Sequence, residues 1–241
     1  MITSGLGGYG LSVAASADQI RQARQVMQFG RTISSLARQF QNSPTAMAQF
    51  EGEPYGYRET GTRVYKAINN PEVFITYLGL DTSSEMPEEV RRLEQLVGRW
   101  NGETTTLSKS GRKMSSGEER LETEKVCGGW LISSKVSASG SGFSSASHAI
   151  MGWCPNDDLY HLLSYQEGRE GSSDVLMGFT ETTMRYDPES RRWYGESTSI
   201  TNNNYFVKVS TSTRVEQEGT IIIESSAPGF DCRGEEVLHR E

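Results

Sequence analysis

From Gly98 onward the chain is written in steps of two. Tyr205, Val207, Val209, Thr211, Thr213 and Val215 alternate along one face, Glu218-Gly219 turns, and Thr220 to Ser225 returns. Successive side chains of a strand point to opposite faces, so this period marks a pleated strand with one buried side. Trp130, Ile132, Ser134, Val136 and Ala138 alternate in the same way with Leu131, Ser133, Lys135 and Ser137. Ile150 to Cys154 and Tyr160 to Gln166 flank the turn sequence Pro155-Asn156-Asp157-Asp158, and Val175 to Met184 and Arg192 to Ser199 flank Tyr186-Asp187-Pro188-Glu189-Ser190. Both arrangements predict hairpins. With the Thr-rich stretch from Gly98 to Thr106, about eight strands follow one another through short turns. The expected fold is mainly β, an antiparallel up-and-down barrel of about eight strands, with a sandwich as the alternative. An eight-stranded barrel is just wide enough inside for side chains or one small ligand.

Ahead of the strands lies a segment of different character. Ser16-Ala17-Asp18-Gln19 has capping-box spacing, and Ile20, Ala23, Met27, Ile33, Leu36, Ala37 and Phe40 recur at helical intervals until Asn42-Ser43-Pro44. The glycine-rich run from Ser4 to Leu11 is expected to be too flexible for a regular element. Arg63 to Ile68 and Pro71 to Leu78 are candidates for short helices. Pro87-Glu88-Glu89 opens another that runs through Leu93 and Leu96 toward Gly98. The chain therefore divides into an α-helical N-terminal extension, 1–92, and a barrel domain, 93–241.

Charge separates the two parts. In the first fifty residues four arginines stand against one aspartate, giving +3, while the remainder carries −10 of the net −7. An acidic chain lacks the concentrated basic surface that phosphate binding needs, which argues against a nucleic-acid partner. No apolar run reaches the roughly 20 residues that cross a bilayer as a helix, so a transmembrane protein is not expected. The basic, Ser- and Arg-rich start also has the composition of an organelle transit peptide. Cys127, Cys154 and Cys232 are widely spaced and odd in number. They form neither a disulfide framework nor a CxxC clip, and indicate a soluble protein of a reducing compartment, cytoplasm or organelle interior, plastid and mitochondrion included.

Leu96-Val97-Gly98-Arg99-Trp100-Asn101-Gly102 resembles the opening of the calycins, the lipocalin-like barrels, in which a Gly-x-Trp starts the first strand and the indole closes one barrel end. Gly128-Gly129-Trp130-Leu131, then Gly152-Trp153-Cys154-Pro155-Asn156-Asp157, and Tyr186-Asp187-Pro188 with Trp193, resemble a bacterial calycin-like family of unknown function over about residues 95–230. Cys154 stands where that family usually has Asp. More distantly, Gly98, Trp100 and Gly102 are similar to the start of the haem-carrying nitrobindins, although Thr104 replaces their next glycine. That likeness implies haem as an alternative cofactor, with His239 as the nearest match to a proximal ligand. Apart from it, no cofactor is expected.

Few residues carry chemistry on their own. Trp100, Trp130, Trp153 and Trp193 are candidates for an aromatic ligand cage, against the ordinary alternative of core packing. His161, with Tyr165 on the same strand face, is a candidate ligand contact or general base, against a structural histidine. Trp100, Trp130, His161 and Tyr165 thus form the expected ligand-binding set. Glu118, Glu119, Glu122 and Glu124 suggest a solvated strand face rather than a catalytic pair. Cys127 and Cys154 have no histidine or acid at ligand spacing, so no metal site is expected. With no nucleophile elbow, Walker loop or HExxH helix, no catalytic residue is assigned. A lone amphipathic helix must bury its stripe elsewhere. Ile20, Arg24, Met27, Arg31, Arg38 and Phe40 are therefore expected to dock on a protein partner. The leading expectation is a non-catalytic accessory or scaffold subunit of a larger assembly. A carrier of a small apolar ligand is the alternative, and an enzyme acting on a lipophilic small molecule the second. A filled barrel favours the scaffold, an open apolar cup the carrier, and ionisable groups buried in that cup the enzyme.

Overall fold

The computed structural model describes residues 4–6, 9–11, 56–140, 143–170, 173–201, 206–216, 219–226 and 232–241. After the short strands β1 (Ser4–Leu6) and β2 (Tyr9–Leu11) come helices α1 (Gly56–Asn69), α2 (Pro71–Leu78) and α3 (Glu88–Arg92), the last continued by a 3-10 turn over Leu93–Leu96. Ten barrel strands follow: β3 (Gly98–Ser108), β4 (Lys113–Val126), β5 (Leu131–Gly140), β6 (Phe143–Cys154), β7 (Leu159–Glu170), β8 (Ser173–Asp187), β9 (Arg192–Thr201), β10 (Phe206–Glu216), β11 (Thr220–Ser226) and β12 (Cys232–Arg240). Each pairs antiparallel with the next, and β12 pairs with β3 to close the ring. Closure satisfies the edge N–H and C=O groups that an open sheet would present to solvent.

The up-and-down barrel is as expected, but it has ten strands rather than about eight. The two strands missing from that count are β4, of which only a solvated strand face over 118–124 is expected from the sequence, and β12. In β4 the outward residues Glu118, Arg120, Glu122 and Glu124 are all charged and exposed, while Glu119, Leu121 and Thr123 alternate inward and are buried. The density of charge hides a period of two that is nonetheless present. In β12, Gly234, Glu236 and Leu238 face in, and the pairing Leu238↔Gly102 joins the two chain ends of the barrel. The glycine-rich N-terminal run also departs from expectation, because Ser4–Leu6 pairs with Tyr9–Leu11. Ladder bonds use backbone groups only, so the Gly5↔Gly10 pair can join without side chains.

Helices α1 and α2 lie on the outside of the barrel. Val64 and Ala67 of α1, with Phe74 and Leu78 of α2, sit at helical spacing and are fully or almost fully buried. They pack with Leu131, Ile150, Leu163 and Phe179, the outward residues of β5 to β8. Pro71 starts α2 and Gly79, left-handed at φ 69°, ends it by donating its N–H to the Ile75 and Thr76 carbonyls. Close approach to the wall depends on Gly152, where a Cβ would stand 2.4 Å from Leu131 and 2.5 Å from Leu78. The ion pair of Arg63 with Glu181, whose Nε–Oε1 bond is 2.8 Å, ties α1 to β8.

One end of the barrel is plugged. Leu93 packs with Ile132, Met151, Tyr160, Met184 and Trp193, and Leu96 reaches into the same cluster. Tyr160 donates its hydroxyl to the Glu89 carbonyl at 2.9 Å, and Arg92 lies over the Tyr186 ring at 4.3 Å. Trp100 is wholly buried among Leu121, Ile221 and Leu238, donating Nε1–H to the Leu96 carbonyl at 3.1 Å, with Arg240 on its ring face. The indole thus holds the plug to the first strand. Among the described residues no helix is long and apolar enough to cross a membrane.

Candidate functional site

Above the plug the barrel is hollow. A cavity of about 270 Å³ runs between the inward faces of β4 to β12. Its size follows from the register. One row across the wall reads Thr123, Ser134, Ala149, Ser164 and Thr180, so five neighbouring strands contribute nothing larger than threonine at that level. Leu121, Val136, Ile132, Met151, Ile221 and Ile223 provide the apolar part of the lining. Hydroxyls pair along the wall, Thr123 with Ser134 at 2.9 Å and Thr182 with Ser197 at 2.8 Å, which removes much of the desolvation penalty of lining a cavity with them.

Two carboxyl groups stand in this lining, Glu119 from β4 and Glu236 from β12. Strand β3 separates them: Glu119 is opposite Gly102, and Glu236 opposite Thr104. Gly102 is required there, because a Cβ would lie 1.8 Å from the Val237 carbonyl oxygen. Glu119 is only 5% exposed. The carboxyl groups share a hydrogen bond, with Glu236 holding the proton and Glu119 accepting it. Burial is the first cause of their shifts. It pushes Glu119 up to about 7, against which the bond from Glu236 works. Glu236 rises well above the usual range through burial, the Glu119 charge and that bond. The second Glu119 oxygen has no protein partner, and neither has the Trp193 indole N–H, which also borders the cavity. No lysine, arginine or histidine lines the lumen among the described residues.

The sequence-derived candidates are dispersed rather than gathered. Trp100 belongs to the plug, and Trp130 is buried just before β5; neither borders the cavity. His161 and Tyr165 share one face of β7, as their parity predicts, but it is the outer face. His161 meets the edge of Tyr77 on α2, and Tyr165 stacks on His148 at 4.9 Å and packs near Tyr65 of α1. The alternate β7 residues, Leu162 and Ser164, are those that reach the lumen. Trp193 alone of the four tryptophans lines the cavity. The docking residues Ile20, Arg24, Met27, Arg31, Arg38 and Phe40 lie outside the described residues, as do the capping box and the helix expected after it.

Glu119 corrects the reading of 118–124 as one solvated acidic face. It has the parity of Leu121 and Thr123, not of Glu118, Glu122 and Glu124, and that parity was the available signal. Cys154 also needs correction, since an acid and a histidine do stand at its side. The ligand atoms of Cys154, Asp157 and His161, across the β6–β7 turn, lie within 4.8 Å of one another. His161 bonds Asp157 at 2.8 Å, Cys154 bonds the same carboxylate, and the Leu159 N–H donates to its other oxygen. Desolvation raises Asp157, but these bonds, which also hold the hairpin turn, together outweigh it and keep the carboxyl below the usual carboxylate range. A cation of the N/S/O-ligand type has three donors here. Haem does not fit, because His239 lies outside the lumen, exposed and 3.1 Å from the Thr220 hydroxyl.

No family model matches the chain, and no curated protein does. Among solved structures it is similar to a redesigned β-barrel, at 11% identity over 66% of this chain and 99% of that one, with a TM-score of 0.32. It is also similar to a protein of unknown function from the DUF3598 family of Nostoc punctiforme PCC 73102. That match has 10% identity over 65% of this chain and 100% of the other, with a TM-score of 0.22. Likenesses this distant carry no argument about the site.

Proposed function

We propose that this protein is a carrier that holds one small, mainly apolar ligand in the lumen of a calycin-type barrel. The observation that carries this reading is the cavity of about 270 Å³, hollow because the Thr123–Thr180 row is built of small side chains. It lies near the lower end of the roughly 300–1,000 Å³ typical of small-molecule sites, so the ligand is compact. The docking expectation rests on residues 20–40, whereas the lumen rests on ten paired strands. The carrier therefore ranks ahead of the accessory subunit.

The test uses the neutral fluorophore N-phenyl-1-naphthylamine with the full chain. One site per chain is expected, abolished by Ser134→Leu/Ser164→Leu, which fills the row. Undiminished binding by that folded variant would place the dye elsewhere and remove the support for a lumenal carrier. A second reading, an enzyme acting on a lipophilic small molecule, is favoured by the carboxyl pair alone. One group is protonated and the other is balanced near neutrality, as general acid–base catalysis requires. Its test is turnover of a bound ligand that Glu119→Gln abolishes without loss of binding.

A further inference from the structure

We propose that the lumen selects ligands with a cationic nitrogen head, an ammonium or amidinium, seated against Glu119 and Glu236 with the apolar body along the β5–β6 wall. The inference rests on the lumenal reading above and names the ligand class that the same cavity takes.

The starting point is an imbalance. Two carboxyl groups line one small cavity, and no basic side chain among the described residues lines it with them. One oxygen of Glu119, a residue 5% exposed, has no hydrogen-bond partner. A buried acceptor without a donor is costly, and a buried charge without a counter-charge more so. Ala138 and Gly102 flank Glu119 on the paired strands and carry no donor, while Glu236 lies between Ile223 and Thr104. Sharing one proton between the two groups satisfies part of the demand and leaves the second Glu119 oxygen without a donor.

Ligand classes differ in how they meet that demand. A carboxylate ligand would bring a third acid into a cavity that offers it no arginine or lysine. A purely apolar ligand would bring no donor to the unpartnered oxygen of Glu119. An alcohol offers one donor and no charge. An ammonium offers three donors and the missing positive charge, and an amidinium offers a planar fork that matches a carboxylate edge. The position of the pair suits an end-on head: Glu119 and Glu236 lie on β4 and β12, and the row of small side chains that makes room for the body spans β4 to β8. Because burial holds Glu119 near neutrality rather than permanently protonated, its charge is available to an incoming cation.

The experiment compares decylamine, decanol and decanoate, one chain with three heads, as competitors for N-phenyl-1-naphthylamine at neutral pH on the full-length protein. Decylamine is expected to compete at least tenfold more strongly than either other compound. That advantage should vanish in Glu119→Gln/Glu236→Gln while the dye still binds, which shows that the variant remains folded and hollow. Decanol equal to decylamine, or decanoate the tightest of the three, overturns the cationic-head proposal and leaves the carrier standing. An amine preference that survives in the double variant overturns it as well, since the head would then be held elsewhere. If the dye itself finds no lumenal site, the carrier reading fails first.

Discussion

The same four strands present two very different walls. Outside, Leu131, Ile150, Leu163 and Phe179 of β5 to β8 are buried against α1 and α2, and Gly152 removes even a Cβ so that Leu78 can touch the sheet. Inside, the opposite parity of those strands places Ser134, Ala149, Ser164 and Thr180 in one row of small side chains. In a small barrel the interior is usually the core and the exterior the solvated side. Here the densest apolar packing is moved to the outer wall beneath the helices, and to the plug at one end. Stability is thus supplied by regions that the cavity does not use, which is what allows the middle of the barrel to remain empty.

Substitutions in the packed regions and in the lumen should therefore differ in kind. The largest loss is expected in the plug and under the helices, where Trp100→Ala and Phe74→Ala each remove a fully buried aromatic ring. Each should cost about 3–5 kcal/mol in urea denaturation. A loss below about 1 kcal/mol at either site would show that the packed region is not where stability resides.

The carboxyl pair comes next. Both folded pKa values lie above the ordinary glutamate value, so the protonated form stabilises the fold. That contribution is complete below about pH 4 and is lost as the pH rises through about 7. Wild type should lose on the order of 3 kcal/mol between pH 5 and 8 through Glu119, and Glu236 acts in the same direction. Glu119→Gln/Glu236→Gln should flatten that slope, and parallel profiles would show the two carboxyls solvated rather than buried.

Gly152→Val should cost about 1–3 kcal/mol by forcing α2 off the wall, with faster proteolytic cleavage between residues 56 and 78 as the accompanying sign. A neutral outcome would mean that the helices do not seal the outer face. Smallest is the lumen itself. Ser147→Leu adds apolar volume to empty space, so stability should change by less than about 1 kcal/mol while dye binding weakens. A large destabilisation there would mean that the interior is already full.

Most of the barrel was legible in the sequence because alternation is a local property: Val207 to Val215 and Ile132 to Ala138 declare their strands without reference to anything distant. The helices over Pro71–Leu78 and from Glu88 were legible for the same reason. What escaped was the inward face of β4 and the whole of β12, which carry Glu119 and Glu236. Charged residues on an outward face, and acids on both faces at Glu118-Glu119 and Glu235-Glu236, blur the contrast on which a period-two reading depends. The site was therefore concealed by the very side chains that compose it.

Sequence alone determined that the chain past Gly98 must be an antiparallel meander with Trp100 near its start, because pleat, turn residues and strand length are set by near neighbours. It also determined the parity of every residue within a strand, including that of Glu119. Which parity faces inward, and whether the interior is full or hollow, depends on closure of β12 onto β3 and on the register between strands. Those are decided by contacts between distant parts of the chain. Only that closure brings two acids from opposite ends of the barrel sequence to either side of β3, where burial turns ordinary glutamates into a proton-sharing pair.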